Sequence, residues 1–179
     1  MKIFLDTNIL LNDFFHRHPD YGFQRISSPE QAGQVEQYRS MVHETLLWLS
    51  LKPSVTVCTS TFIVSRLASL FGDLLVPKAL VAEEMQYLLS GFLLSEPGIS
   101  HLETALTGMQ GADQTADFDD YLLRQLAKES ACDILLTSLS RSRTFFWPVL
   151  VFRPEELRGL NWEELENAPD TRPATGDQG

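Results

Sequence analysis

Asp6 follows the apolar run Ile3-Phe4-Leu5 at once and precedes Thr7, Asn8 and a second apolar run, Ile9-Leu10-Leu11. A carboxylate between a strand and a helix sits beside helix N–H dipoles that favour its ionised form. It can ligate a hard divalent cation such as Mg²⁺, which takes oxygen donors and keeps several waters. It can equally be a plain helix cap, with Asp6 or Thr7 accepting from the next turn, and local sequence alone favours the cap. The second acidic group is Asp113, Asp117, Asp119 and Asp120. Asp117 and Asp120 are three apart and share a helix face. Asp117 is a good N-cap, and its neighbours suit the positive end of the helix dipole. So many like charges nevertheless repel unless a cation or an arginine sits among them.

The other reactive side chains carry less. His16 and His18 are two apart in a loop, and His43 and His101 are isolated, so all four are expected in surface or structural roles. No GxSxG, HExxH or glycine-rich phosphate loop occurs. Cys58 and Cys132 sit in apolar, strand-like runs without CxxC spacing, which reads as two buried thiols in a reducing cytoplasm rather than a zinc site.

The elements that must position these residues follow from periodicity. Ile3-Phe4-Leu5 reads as a buried strand running into a helix over Ile9–Phe15, with a loop from His16 to Pro29. Val35, Tyr38, Val42, Leu46 and Leu49 recur at helical steps, so Glu30–Ser50 is an amphipathic helix. Val55–Thr59 is a strand, Ser60 caps a helix that stops at Gly72, and Pro77 opens another that closes at Gly91. Phe92–Ser95 is a short strand, Ser100–Thr107 a short helix, Gly111–Ala116 a polar loop and Phe118–Ser130 a helix. Ile134–Thr137 and Val149–Phe152 are two further apolar strands, and Pro154 starts a last helix. Strands apolar on both faces, alternating with helices, predict a parallel sheet covered on both sides, with functional groups at the carboxyl ends of its strands. Those positions are Asp6-Thr7-Asn8, Ser60 and Thr137.

The length of 179 residues suits one domain, read as residues 1–165 with a disordered tail over 166–179. The start carries a charge at position six and no long apolar core, so it is not expected to act as a signal peptide, and no apolar run is long enough to span a bilayer. The net charge of −10 argues against broad, charge-driven duplex binding. The surplus is uneven: residues 154–179 hold seven acids and two arginines, a net of −5. Between Asp133 and Glu155, in contrast, stand Arg141, Arg143 and Arg153 with no acid.

The opening Lys2-Ile3-Phe4-Leu5-Asp6-Thr7-Asn8-Ile9-Leu10-Leu11 resembles the start of a PIN domain, especially the branch of VapC-like toxins of bacterial toxin–antitoxin pairs. Thr59–Leu67, Asp117–Leu123, Cys132–Ser138, Phe145–Val151 and Pro154–Leu157 resemble later PIN segments in the right order, over about residues 1–160. The resemblance implies a three-layer α/β/α fold with a central parallel sheet of four to five short strands. It also implies a Mg²⁺- or Mn²⁺-dependent ribonuclease acting on single-stranded RNA in the cytoplasm, as a homodimer neutralised by a small antitoxin. The acids it carries over are Asp6 and Asp120, with Asp117 a near neighbour, as catalytic and metal-binding residues. Thr7, Asn8, Ser60 and Thr137 support them, and Arg141 and Arg143 would meet the RNA. Two of the four expected acidic positions are filled by Arg66 and Leu139. Arg66 could replace the metal electrostatically by bridging Asp6 and Asp120. The alternative is therefore a PIN fold that has lost catalysis and acts as a binding module, with apolar stripes on the 30–50 and 83–89 helices for a partner. A third is another α/β fold with a chance Asp-Thr-Asn start.

Overall fold

The computed structural model describes residues 1–22, 28–109, 117–138, 146, 149–160 and 162. Strand β1 (Lys2–Leu5) leads into α1 (Thr7–Arg17), a 3-10 turn (Pro19–Tyr21) and the long α2 (Pro29–Ser50). Next come β2 (Thr56–Ser60), α3 (Thr61–Asp73), α4 (Lys78–Gly91) and β3 (Leu93–Ser95). The chain continues through α5 (Ile99–Met109), α6 (Phe118–Glu129), β4 (Ile134–Leu136), β5 (Leu150–Phe152) and α7 (Pro154–Arg158). The five strands pair in parallel in the order β3-β2-β1-β4-β5. Among the described residues, no helix is long and apolar enough to cross a membrane.

The inner strands explain the layering. Ile3, Phe4 and Leu5 have no exposed surface, and Ile134, Leu135 and Leu136 have at most 1%. Successive strand residues point to opposite faces, so burial of every one requires cover on both sides. Cover is thinner at the edges, where Leu93 on β3 and Leu150 on β5 are exposed, because an edge strand has a neighbour on one side alone, and at the start of β2, where Thr56 is exposed. Of the two stripes read as partner surfaces, α2 buries Val42 and Leu49 in the core, and α4 buries Leu88 while exposing Tyr87 and Leu89. An exposed apolar row lies instead on α5, at Ile99, Leu102 and Leu106.

The loop expected from His16 begins later, because α1 extends through Arg17. Arg17 holds that last turn in place. Its guanidinium donates to both Glu84 oxygens at 2.8 and 2.6 Å and to Asp13 at 3.0 Å. Burial disfavours the Arg17 charge, yet the hydrogen bond and charge of Glu84, with Asp13, outweigh it and raise its pKa. His43 Nδ1 closes on the other Asp13 oxygen at 2.7 Å. His16 meets Glu36 and His101 meets Glu129, so these three histidines contact carboxylates of the scaffold.

Helix α3 runs one residue past Gly72 and ends at Asp73. The Val76 N–H reaches the Phe71 carbonyl at 3.0 Å and the Leu75 N–H reaches Gly72 at 3.1 Å, which closes the helix with Leu75 in the left-handed region at φ 58°. Glycine is the favoured residue there, and a leucine strains its Cβ against the following carbonyl. The Leu75 side chain is exposed and contributes little burial. Leu75→Gly is therefore expected to stabilise the fold by about 0.5–1 kcal/mol, after the extra unfolded-state freedom of glycine is subtracted. Urea unfolding of the two proteins side by side measures it; a lower midpoint contradicts it.

Candidate functional site

In an open parallel sheet ligands bind beyond the carboxyl ends of the strands, where the chain order reverses direction. Here that point lies between β1 and β4. Asp6 leaves β1 there. Its N–H donates to the Leu136 carbonyl on β4 at 3.1 Å, and its own carbonyl accepts from Ile9 and Leu10 to start α1. The Asp6 side chain does not cap that helix. It turns across the switch point and accepts from the Thr137 hydroxyl at 2.7 Å, with the residue only 6% exposed. The cap reading of Asp6 is thus overturned. The reason is positional: Thr137 follows β4 at the level of Asp6 and presents its hydroxyl to the carboxylate there.

Ser60 and Asp117 do cap. The Ser60 hydroxyl accepts from the Ile63 N–H at 3.2 Å. Asp117 and Asp120 form a reciprocal capping box, each carboxylate accepting the other's backbone N–H at 3.0 Å. The box fixes the start of α6 and buries Asp120, which is 4% exposed. Gly108 on α5 lets the Tyr121 ring lie against the backbone, since a Cβ there would collide with it.

Asp6, Asp117, Asp119 and Asp120 line one cavity of about 300 Å³ together with Thr7 and Asn8. Its far wall is α3, through Phe62, Ile63 and Arg66. The expected bridge from Arg66 to Asp6 or Asp120 is not made. Arg66 pairs with Asp119, and both side chains are partly exposed. Asp119 is the outward-facing acid of the α6 first turn, whereas the Asp120 carboxylate is folded back on the Asp117 N–H, so the rim acid receives the guanidinium. The four carboxylates and one guanidinium give the cavity a formal charge of −3. Among the described residues, no three His, Cys, Asp or Glu side chains cluster as a metal cage. The donors are all oxygen, two of the carboxylates are buried, and the charge is negative. That set fits a Mg²⁺-type ion held by one or two carboxylates with waters and substrate phosphate, and does not fit an all-protein cage. Asp113, Leu139, Arg141 and Arg143 lie outside the described residues.

A chain in the crystal structure of VapBC2 from Rickettsia felis, bound to a DNA fragment from their promoter, is similar to this one with a TM-score of 0.58 at 14% identity. The match covers 86% of this chain and 98% of that one. This chain has a PIN-like, VapC-type fold. The Mycobacterium tuberculosis sarcin-ricin loop cleaving toxin VapC20 aligns with a TM-score of 0.47 at 16% identity, over 74% of this chain and 86% of that one. No family model and no curated protein matches.

One residue beside this PIN-like site is marked in the sequence only as part of the apolar stripe of the 30–50 helix. The Tyr38 ring belongs to the α2 stripe and packs against the core, but its hydroxyl is shielded from solvent. Burial pushes the phenol up to about 12; Ser138 opposes the shift, Glu155 reinforces it, Arg153 opposes it and Asp6 adds slightly. Tyr38 therefore stands behind the same strand end that carries Thr137. The apolar spacing marked the ring; nothing in the sequence marked where the hydroxyl would point. A phenol whose pKa rises from 10 to about 12 on folding holds its proton in the native state after the unfolded chain has lost it. Stability must then fall as pH climbs from 10 to 12. Tyr87 shifts the same way through burial, so Tyr38→Phe should remove part of that loss and leave the rest. Unfolding midpoints across this range, with tyrosinate absorbance, test it; an unchanged slope in Tyr38→Phe contradicts it.

Proposed function

We propose that the chain is a metal-dependent endoribonuclease of the toxin type, acting on single-stranded RNA in the cytoplasm. The observation that supports this most is the pairing of Arg66 with Asp119 at the rim, so that the guanidinium neutralises an outer acid rather than the buried Asp6 and Asp120. Asp6 and Asp120, with Asp117 beside them, are the residues that would hold Mg²⁺ or Mn²⁺. Such an ion, when bound, supplies Lewis-acid activation of water and neutralises charge at a scissile phosphate. The chain's own residues set the stage. Thr137 orients the Asp6 carboxylate, the capping box orients Asp120, and the Thr7 hydroxyl and Asn8 amide lie in the cavity wall where phosphate oxygens would approach. Arg141 and Arg143, in the acid-free segment, are proposed to meet the RNA backbone.

The fold shared with a VapBC2 chain supports a small antitoxin as a partner, and the exposed apolar row on α5 supports a protein contact, either with that antitoxin or with a second copy. A binding module without catalysis is the second reading, favoured because, among the described residues, no three His, Cys, Asp or Glu side chains are placed to hold a metal ion together.

Titration calorimetry with Mg²⁺ and Mn²⁺, beside cleavage of a single-stranded RNA, separates the two. The nuclease reading expects metal binding at or below millimolar concentration and metal-dependent cleavage that Asp6→Asn and Asp120→Asn each abolish while circular dichroism is unchanged. Arg66→Ala should tighten metal binding several-fold by removing a positive charge from the cavity wall, about what one partly screened unit charge is worth. Absence of both binding and cleavage in the folded protein overturns the nuclease and leaves the binding module.

A further inference from the structure

The sheet brings the chain's two cysteines together at a place remote in sequence and outside the acidic cavity. Cys58 lies within β2, opposite Phe4 in the strand register. Cys132 stands just before β4, immediately after Ala131, whose left-handed φ of 49° ends α6. The two are 74 positions apart, Cys58 within β2 and Cys132 in the turn before β4, yet their Sγ atoms are 3.0 Å from each other. Both belong to the core cluster, Cys58 almost fully buried and Cys132 8% exposed. Cys58 Sγ also approaches the Ile3 carbonyl at 3.4 Å.

We propose that Cys58 and Cys132 form a redox-active dithiol that a hydroperoxide closes into an intramolecular disulfide. A disulfide holds its sulfurs at about 2.05 Å, so closure brings the two Sγ atoms about 1 Å nearer, together with whatever backbone shift the Cα spacing of a disulfide demands. The mutual hydrogen bond sets the two thiols apart, lowering Cys58 and raising Cys132, while burial raises both. Either sulfur can attack as the thiolate, and both orders give the same disulfide; in one of them Cys58 attacks and Cys132 resolves.

The Cys58 sulfur attacks one oxygen of the hydroperoxide. The O–O bond breaks, and the departing oxygen takes the thiol proton and leaves as alcohol or water, which makes Cys58 a sulfenic acid. The Cys132 sulfur then attacks the Cys58 sulfur, the S–OH bond breaks, and hydroxide leaves with the Cys132 proton as water. Two thiols lose two electrons, and the peroxide gains them. Cys132, the more exposed of the pair, marks the side from which so small an oxidant enters. The product ties β2 to the start of β4 across β1 and closes a long loop, which restricts the unfolded chain.

The native protein is treated with hydrogen peroxide and then analysed by intact mass, thiol titration and peptide mapping without reductant. The expected result is loss of both thiols, a mass lower by two hydrogens, a Cys58–Cys132 linked peptide, and a higher unfolding midpoint that a reductant returns to its starting value. Cys132→Ser should stop at a sulfenic acid that a dimedone-type reagent traps, and Cys58→Ser should give no crosslink. Persistence of both thiols, sulfinic acid without a linked peptide, or linkage only between chains overturns the proposal. The wild-type readout stands even where a serine variant folds poorly, and it is independent of whether the acidic cavity cleaves RNA.

Discussion

A central strand with no exposed side chain ends in a charge, and much of the molecule answers that one conflict. Ile3, Phe4 and Leu5 must be buried for β1 to sit in the middle of a covered sheet, and this drives the residue that follows them, Asp6, into the interior as well. A carboxylate taken out of water is costly unless it is hydrogen-bonded or paired. Thr137 answers with a hydroxyl on the neighbouring strand, and the N-terminal turn of α1 lends its dipole. Because β1 and β4 diverge to opposite halves of the chain at that point, the same geometry that satisfies Asp6 leaves a crevice in front of it. The site is a consequence of the topology before it is a set of residues.

Much of this was legible. The apolar triplets Ile3-Phe4-Leu5 and Ile134-Leu135-Leu136 could hardly be anything but inner strands, and Ser60, Asp117 and Pro154 sit where helix-start chemistry demands them. What failed to show was everything that depends on direction in space. Leu93 and Leu150 look like inner-strand residues because hydropathy does not report whether a strand has one neighbour or two. Glu84 cannot be matched with Arg17 from 67 positions away, although that pair closes α1 on α4. Tyr38 shows its ring through helical spacing and conceals its hydroxyl. The same limit explains the choice between capping and ligation. Asp6 and Asp117 have equal local claims to be caps, and the decision between them turns on whether another strand presents a hydroxyl alongside.

The α6 acids show how a capping motif and the proposed cation site would coexist. Both need ionised carboxylates, so neither use works against the protonation state that the other requires. The capping box also does geometric work at the cavity: it turns the Asp120 carboxylate back to the Asp117 N–H and leaves Asp119 pointing outward to collect Arg66. A one-residue difference along the helix, about a hundred degrees around its axis, thus separates an acid that faces inward from one that is neutralised at the rim.

The overall charge of −10 acquires a different meaning from this arrangement. A uniformly acidic surface would repel a polyanion, but half of the surplus lies in the last 26 residues, and the rest includes four carboxylates gathered at one cavity. Negative charge concentrated in a concave site attracts a dication far more strongly than the same charge spread over a surface, because low-dielectric walls focus the field. With Arg66 already counted, a divalent ion would bring the formal −3 at the cavity to −1. For the proposed nuclease, total charge therefore matters less than the charge at the cavity, where a dication would offset two of the three negative charges that a phosphate otherwise meets.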